Sequence, residues 1–114
     1  MIEDYSFGRM VINGKTYSAD LIIYPDGRIQ ESWWRLEGHR LQLADLEKLL
    51  QAEPEIIVAG TGASGMMKPA AGLTALLRER GIELICQPTA TACATFNELR
   101  QHHKNGAGCF HLTC

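Results

Sequence analysis

Apolar residues recur along this chain with two different periods, and the change of period divides it. The first third has the pattern of strands. Tyr5 to Ile12 is rich in β-formers, and Asn13-Gly14 follows, a two-residue hairpin signal because both positions tolerate positive φ. Lys15 to Tyr17 is the returning arm. Leu21 to Tyr24 is an apolar run, and Pro25-Asp26-Gly27 after it supplies turn chemistry, since proline presets φ and glycine takes the left-handed position. Arg28 to Trp34 is the expected partner strand.

From Ala44 the spacing becomes helical. Leu46, Leu49 and Leu50 share one face of a helix over Ala44 to Ala52, with acids near its start, and Pro54 closes it. Glu55 to Ala59 is a short β-branched run with the profile of a buried strand. Pro69 to Arg80 reads as the next helix, with Leu73, Leu76 and Leu77 as its stripe and Gly81 as its stop. Ile82 to Cys86 is another buried strand. Thr89 to His103 is the last helix, buried through Ala92, Phe96 and Leu99, and Ala107 to Leu112 a final strand.

The expected fold is therefore α/β, a single compact three-layer domain over 1–114 with a mixed central sheet. Hairpins occupy the N-terminal half and β-α-β-α-β the C-terminal half. Strands 55–59 and 82–86 should form a parallel pair joined by a right-handed crossover.

Composition narrows the function classes. The formal net charge is −2, with 11 basic and 13 acidic residues. No cluster of Lys or Arg offers the footprint of a phosphate-backbone binder, so nucleic acid is not an expected partner. No stretch approaches the apolar length of a membrane span. The start, Met1-Ile2-Glu3-Asp4, lacks the order of a signal peptide and the Arg-rich character of a presequence. The expected location is cytoplasmic.

Gly60-Thr61-Gly62-Ala63-Ser64-Gly65 spells G-x-G-x-x-G after a predicted strand. A dinucleotide site would start its helix inside the motif and place an acid about 20 residues on. Here Pro69, the expected first helical residue, comes four positions after the last glycine, and the next strand ends in Cys86-Gln87-Pro88. A P-loop fails as well, because Met66 stands where lysine is required. A looser reading survives. A helix N-terminus just beyond the loop, with Lys68 and the hydroxyls of Thr61 and Ser64, can hold a carboxylate or phosphate. The alternative for Gly60 and Gly62 is a tight turn that needs glycine for backbone reasons alone.

Cys86, Cys93, Cys109 and Cys114 form no C-x-x-C pair, and their spacing matches no zinc or cluster signature. No metal and no cofactor is expected. Cys109, His111 and Cys114 are close enough along the tail to converge, but the last is expected to fray. His102 and His103 suit a helix C-terminus. Trp33 and Trp34 are consecutive on a predicted strand, so one side chain should enter the core and the other lie under the Leu36–Leu43 segment, in a cleft or at an interface. Arg35 follows, a residue type enriched beside tryptophan at binding hot spots.

Several segments together resemble a known family: Trp34-Arg35, Gly60-Thr61-Gly62 with Lys68 downstream, Gly81-Ile82-Glu83, Phe96-Asn97-Glu98-Leu99 and His111-Leu112-Thr113-Cys114. They are similar to the small family of domains of unknown function that includes the adipogenesis-associated domain protein and a mitochondrial complex I assembly factor. The resemblance implies a three-layer α/β fold with a mixed sheet. It also implies an accessory role through protein contacts, and carries over no catalytic residue. The expectation is a non-enzymatic, assembly-type protein-binding domain, a monomer or weak homodimer. The alternative is an anion- or small-molecule-binding protein or enzyme using the loop at 60–68.

Overall fold

The computed structural model describes residues 1–102 and 104–114. Three strands open it: β1 (Ile2–Ser6), β2 (Arg9–Ile12) and β3 (Lys15–Tyr17) form an antiparallel meander. The expected single run from Tyr5 to Ile12 is two strands broken at Phe7-Gly8, because Ser6 pairs back onto Arg9. The Asn13-Gly14 hairpin forms as its chemistry requires, with φ of 49° and 82° and Ile12 paired to Lys15.

The central sheet has the order β5-β4-β10-β7-β9, with β4 (Leu21–Ile23), β5 (Ile29–Gln30), β7 (Ile56–Thr61), β9 (Glu83–Gln87) and β10 (Gly106–His111). Strands β10, β7 and β9 run parallel, while β4 is antiparallel to both its neighbours, β10 and β5, so the sheet is mixed. The expected parallel pair is present, with Ile57 opposite Leu84. Strand β5 is much shorter than the predicted Arg28–Trp34, because Ser32 sits at φ 56° and turns the chain out of the sheet. The two tryptophans therefore lie on a loop.

Alternation along the buried strands makes three layers. Ile57, Ala59 and Cys109 point to one side, where a 3-10 turn (Leu43–Leu46), α1 (Glu47–Gln51) and α2 (Leu73–Glu79) bring Leu46, Leu49, Leu73 and Leu77. Val58, Leu21, Ile23 and Phe110 point to the other, where α3 (Thr89–Gln101) brings Ala92 and Phe96 and the meander brings Met10 and Ile12. Burial of two such faces is the main driving force for the fold.

Two helix starts differ from those expected: the helix read over Ala44 to Ala52 opens as the 3-10 turn and becomes α-helical only at Glu47, and α2 starts late. Lys68–Pro69 is a short strand, β8, pairing with β6 (Arg40–Leu41), and α2 begins only at Leu73. Proline at a helix start was the competing signal; the bonds from Lys68 N to His39 O and Ala70 N to Leu41 O override it. The expected helix end at His103 lies outside the described residues. No helix among the described residues is long and apolar enough to cross a membrane.

Candidate functional site

Strands β10 and β7 are neighbours, yet the chain leaves β7 through α2 on one face and returns to β10 through α3 on the other. The connections out of β7 and β9 thus leave on opposite faces, which makes the carboxyl ends of those two strands the topological switch point where open α/β sheets form crevices. Strand β10 borders it on the other side of β7. His111 ends β10 directly opposite Thr61 at the end of β7. Both sides of this junction carry residues singled out by sequence.

On the β7 side lies the glycine loop. Gly60 and Thr61 are buried in the strand, Gly62 and Ser64 form the turn, and Lys68 is an exposed residue of β8. Thr89 Oγ1 accepts from Gly62 N at 2.8 Å and donates to His111 O at 2.6 Å, knitting the strand ends together. Thr113 O accepts from Ala63 N and Cys114 O from Met66 N, while Met67 N and Lys68 N donate to Thr61 O and His39 O. These amides are bonded within the protein, and the expected helix N-terminus is absent from the loop because α2 starts at Leu73. An open hollow of about 360 Å³ remains beside Thr61, Ser64, Lys68 and Gln87. Cys114 is held by its backbone rather than frayed, with its side chain exposed.

On the β10 side stands a cluster that the sequence showed only in part. Arg35 is 5% exposed in its side chain, and its Nη2 donates to Asp20 Oδ2 at 2.8 Å. His111 Nδ1 lies 2.7 Å from the same oxygen. A carboxylate only accepts, so Nδ1 carries a proton. Asp20 Oδ1 accepts from Leu112 N at 2.8 Å, completing a carboxylate that binds three partners. Arg35 Nε donates to Gly38 O, and its guanidinium lies 4.7 Å from the centre of the Trp33 ring. The His39 ring meets His111 edge-on at 5.9 Å.

A second carboxylate pins the loop from outside. Asp45 accepts from Leu36 N and Gln42 N, and its backbone carbonyl accepts from Trp33 Nε1. The loop is therefore rigidly moored, and it sorts the tryptophans. Trp33 is 4% exposed and Trp34 86%. The expectation of one tryptophan in and one out holds; cover by the Leu36–Leu43 segment does not, and Leu36 is itself 73% exposed. Trp33, Trp34 and Arg35 wall a pocket of about 320 Å³ with Ala19, Asp20 and Ser32. A roomier hollow of about 590 Å³ lies at the opposite end of the sheet, among Glu55, Thr74, Arg78 and Glu83. Its buried side chains, Ile82 and Leu84, are apolar and its charged ones are exposed, so the smaller pocket, with Arg35 and Asp20 in its wall, is the better-equipped one.

Asp20 and Asp45 are the residues that sequence reading missed. The available signals were an acid just before the apolar run Leu21-Ile22-Ile23, and another in the first turn after Leu43. Neither says which distant groups it meets. Cys109, His111 and Cys114 do not converge: Cys109 is packed in the core, the His111 ring turns to Asp20, and Cys114 faces solvent. No group of three metal-ligating side chains is found among the described residues. Burial pushes the Cys93 thiol up to about 12, and raises Cys86 and Cys109 in the same direction.

Comparison with known proteins agrees with this architecture. A complex I assembly factor, NADH dehydrogenase 1 alpha subcomplex assembly factor 3 of Danio rerio, is 33% identical over 110 residues, covering 94% of this chain and 61% of that protein. The Homo sapiens protein of the same name is 34% identical over 101 residues, covering 86% and 53%. The chain thus spans a little over half the length of these curated relatives. Among solved structures, a conserved hypothetical protein of Pyrococcus horikoshii is 30% identical with a TM-score of 0.82, covering 100% of this chain and 99% of that one. A family model described as "Protein of unknown function (DUF498/DUF598)" matches residues 2–111, and the chain belongs to that family.

Proposed function

We propose that this domain is a non-catalytic accessory protein of the assembly-factor type, and that it recognises a protein partner through Trp34 and Leu36. One observation carries the reading. Two large apolar side chains, 86% and 73% exposed, flank an Arg35 whose own side chain is 5% exposed and anchored on Asp20, Gly38 O and the Trp33 ring. An exposed tryptophan on a moored loop presents contact area at little ordering cost, which is the character of an interface hot spot. The names of the curated relatives, which are assembly factors, support the same class of role. The competing reading, a ligand in the 60–68 loop, keeps Lys68, Thr61 and Ser64 but loses the α2 N-terminus expected behind it, and the first amide of α3, which does reach the loop, is already bonded to Gly62 O.

A photo-crosslinking residue placed at position 34 in the native host tests this, with position 79 on the exposed end of α2 as control. A discrete protein adduct is expected from 34 and not from 79. Equal labelling from both positions, or adducts only to a second copy of the chain, would defeat the proposal. The double change Trp34→Ala and Leu36→Ala should weaken partner binding by about 2 kcal/mol or more. Its effect on stability should stay within about 0.5 kcal/mol, since both sites are exposed.

A further inference from the structure

We propose that this chain pairs with a second copy of itself along the free edge of β9, the two strands lying antiparallel across a two-fold axis centred on Ile85. This goes beyond the partner-binding reading and does not rest on it, since the loop that carries Trp34 follows β5 at the opposite edge of the sheet.

Strand β9 ends the sheet order and pairs only with β7 among the described strands. One observed bond fixes which of its backbone groups are free. Glu83 N donates to Glu55 O, so in an unbroken parallel register Glu83, Ile85 and Gln87 bond toward β7. Leu84 and Cys86 turn their N–H and C=O groups the other way, and neither amide has a partner among the described residues. Proteins ordinarily blunt such an edge with lysine, proline or a bulge. The strand Glu83–Gln87 contains neither lysine nor proline, only Glu83 at its end is charged, and its register with β7 has no bulge.

The two ends of the edge decide what fits it. Ile82 N is committed to Leu77 O, while Pro88 has no N–H and its carbonyl accepts from Ala92 N. Leu84 and Cys86 are therefore the residues of this edge that keep both groups free, and that set is its own complement. With Ile85 on the axis, Leu84 of one copy and Cys86 of the other exchange both bonds, and the symmetry repeats the exchange. The next pair out, Ile82 with Pro88, has no free N–H, so the ladder stops there. Side chains select this register. Gln87 Oε1 accepts from Thr95 Oγ1 of α3 at 2.7 Å, which places Gln87, Ile85 and Glu83 on the α3 face. Across the axis Ile85 then meets its own copy, and Glu83 lies opposite Gln87, whose Nε2 is left to donate to the carboxylate. Centring on Leu84 instead would set Ile85 against Glu83. Charge agrees. Glu83 makes no ion pair with Arg78 across its own hollow, and Lys68, beside Cys86 and Gln87, makes none among the described residues. The axis brings the Lys68 end of one copy to the Glu83 end of the other. The assembly closes at two copies, because β5 at the far edge is two residues long and Ser32 turns the chain out of the sheet beyond it.

The test uses the whole chain under reducing conditions, with sedimentation equilibrium and amide hydrogen exchange followed over a wide range of concentration. A species of two copies should grow with concentration. Where it predominates, exchange should slow at least tenfold at Leu84 and Cys86 and stay unchanged at Glu83, Ile85 and Gln87, whose amides already bond to β7. Cys86→Pro removes an outward N–H and spares the bonds to β7, and should weaken self-association at least tenfold. If that variant does not fold, Ile85→Lys sets two lysines face to face and should do the same; the exchange pattern of the native chain decides in either case. Trp34→Ala should leave self-association unchanged. A chain that stays monomeric at millimolar concentration, assemblies that grow beyond two copies, protection spread evenly over β9, or self-association lost with Trp34→Ala would each overturn the proposal. So would protection of Leu84 and Cys86 that appears only with another protein bound, since a foreign strand would then occupy the edge.

Discussion

Asp20 ties together four groups from distant parts of the chain. Its carboxylate receives Arg35, His111 and the backbone of Leu112, while its backbone carbonyl accepts from Trp33 N. Asp20→Asn would strand a buried guanidinium without its counter-charge, and the expected loss is about 3 kcal/mol or more in denaturant unfolding. A loss below about 1 kcal/mol would mean that Arg35 reaches solvent readily. Gly62 is constrained differently. It sits at φ 104°, and a Cβ there would lie 2.6 Å from the Cys114 backbone, so neither the conformation nor the space admits a side chain. Gly62→Ala should cost more than about 1 kcal/mol. The cysteines sort by environment: Cys93 and Cys109 are buried with raised thiols, whereas Cys114 is exposed. Brief iodoacetamide treatment followed by peptide mass spectrometry should find Cys114 labelled first, and comparable labelling of Cys109 would contradict its burial.

At the scale of elements, the junction of β7, β10 and α3 hangs on Thr89. It is fully buried at the first position of α3, and its hydroxyl both accepts from Gly62 N and donates to His111 O. Thr89→Val keeps the shape and removes the hydroxyl, leaving a buried amide and a buried carbonyl unpaired at once. A loss of about 2 kcal/mol is expected in chemical denaturation, together with faster amide exchange at Gly62. Unchanged exchange there would show that the junction is held by other bonds. The same junction explains why the glycine loop misled as a motif. Its glycines serve close backbone approach to Thr113 and Cys114, and the sequence pattern is indifferent to what approaches.

For the whole molecule, the buried thiols set an alkaline limit. Cys93 rises from its ordinary value of 9.0 to about 12 in the folded chain, and Cys86 and Cys109 shift the same way. A raised pKa means that the unfolded chain loses these protons first. Their contribution is therefore intact below pH 9.0 and is lost as pH climbs toward about 12. Stability measured by urea unfolding should fall steadily across that window, and serine at position 93 should flatten the fall. A curve unaffected by the Cys93→Ser change would show that other groups dominate alkaline unfolding.

What the sequence determined by itself is whatever depends on near neighbours along the chain. The short apolar runs at Glu55 to Ala59 and Ile82 to Cys86 specified buried parallel strands, because a strand covered on both faces needs apolar side chains on both. Asn13-Gly14 specified its hairpin, because positive φ is a local property, and the leucine spacing placed α1 and the body of α2. Tertiary structure decided the rest. The strand at Lys68–Pro69 exists only because Arg40–Leu41 comes to lie beside it, and that pairing displaced the start of α2 to Leu73. The tryptophans left the sheet because Asp20 and Asp45, far off in sequence, bond to the loop that carries them. The cluster of Asp20, Arg35 and His111 draws its members from three separate segments, 91 residues apart at the widest. Charge and hydrogen-bond complementarity of that kind has no period, so no local pattern announces it until the chain has folded.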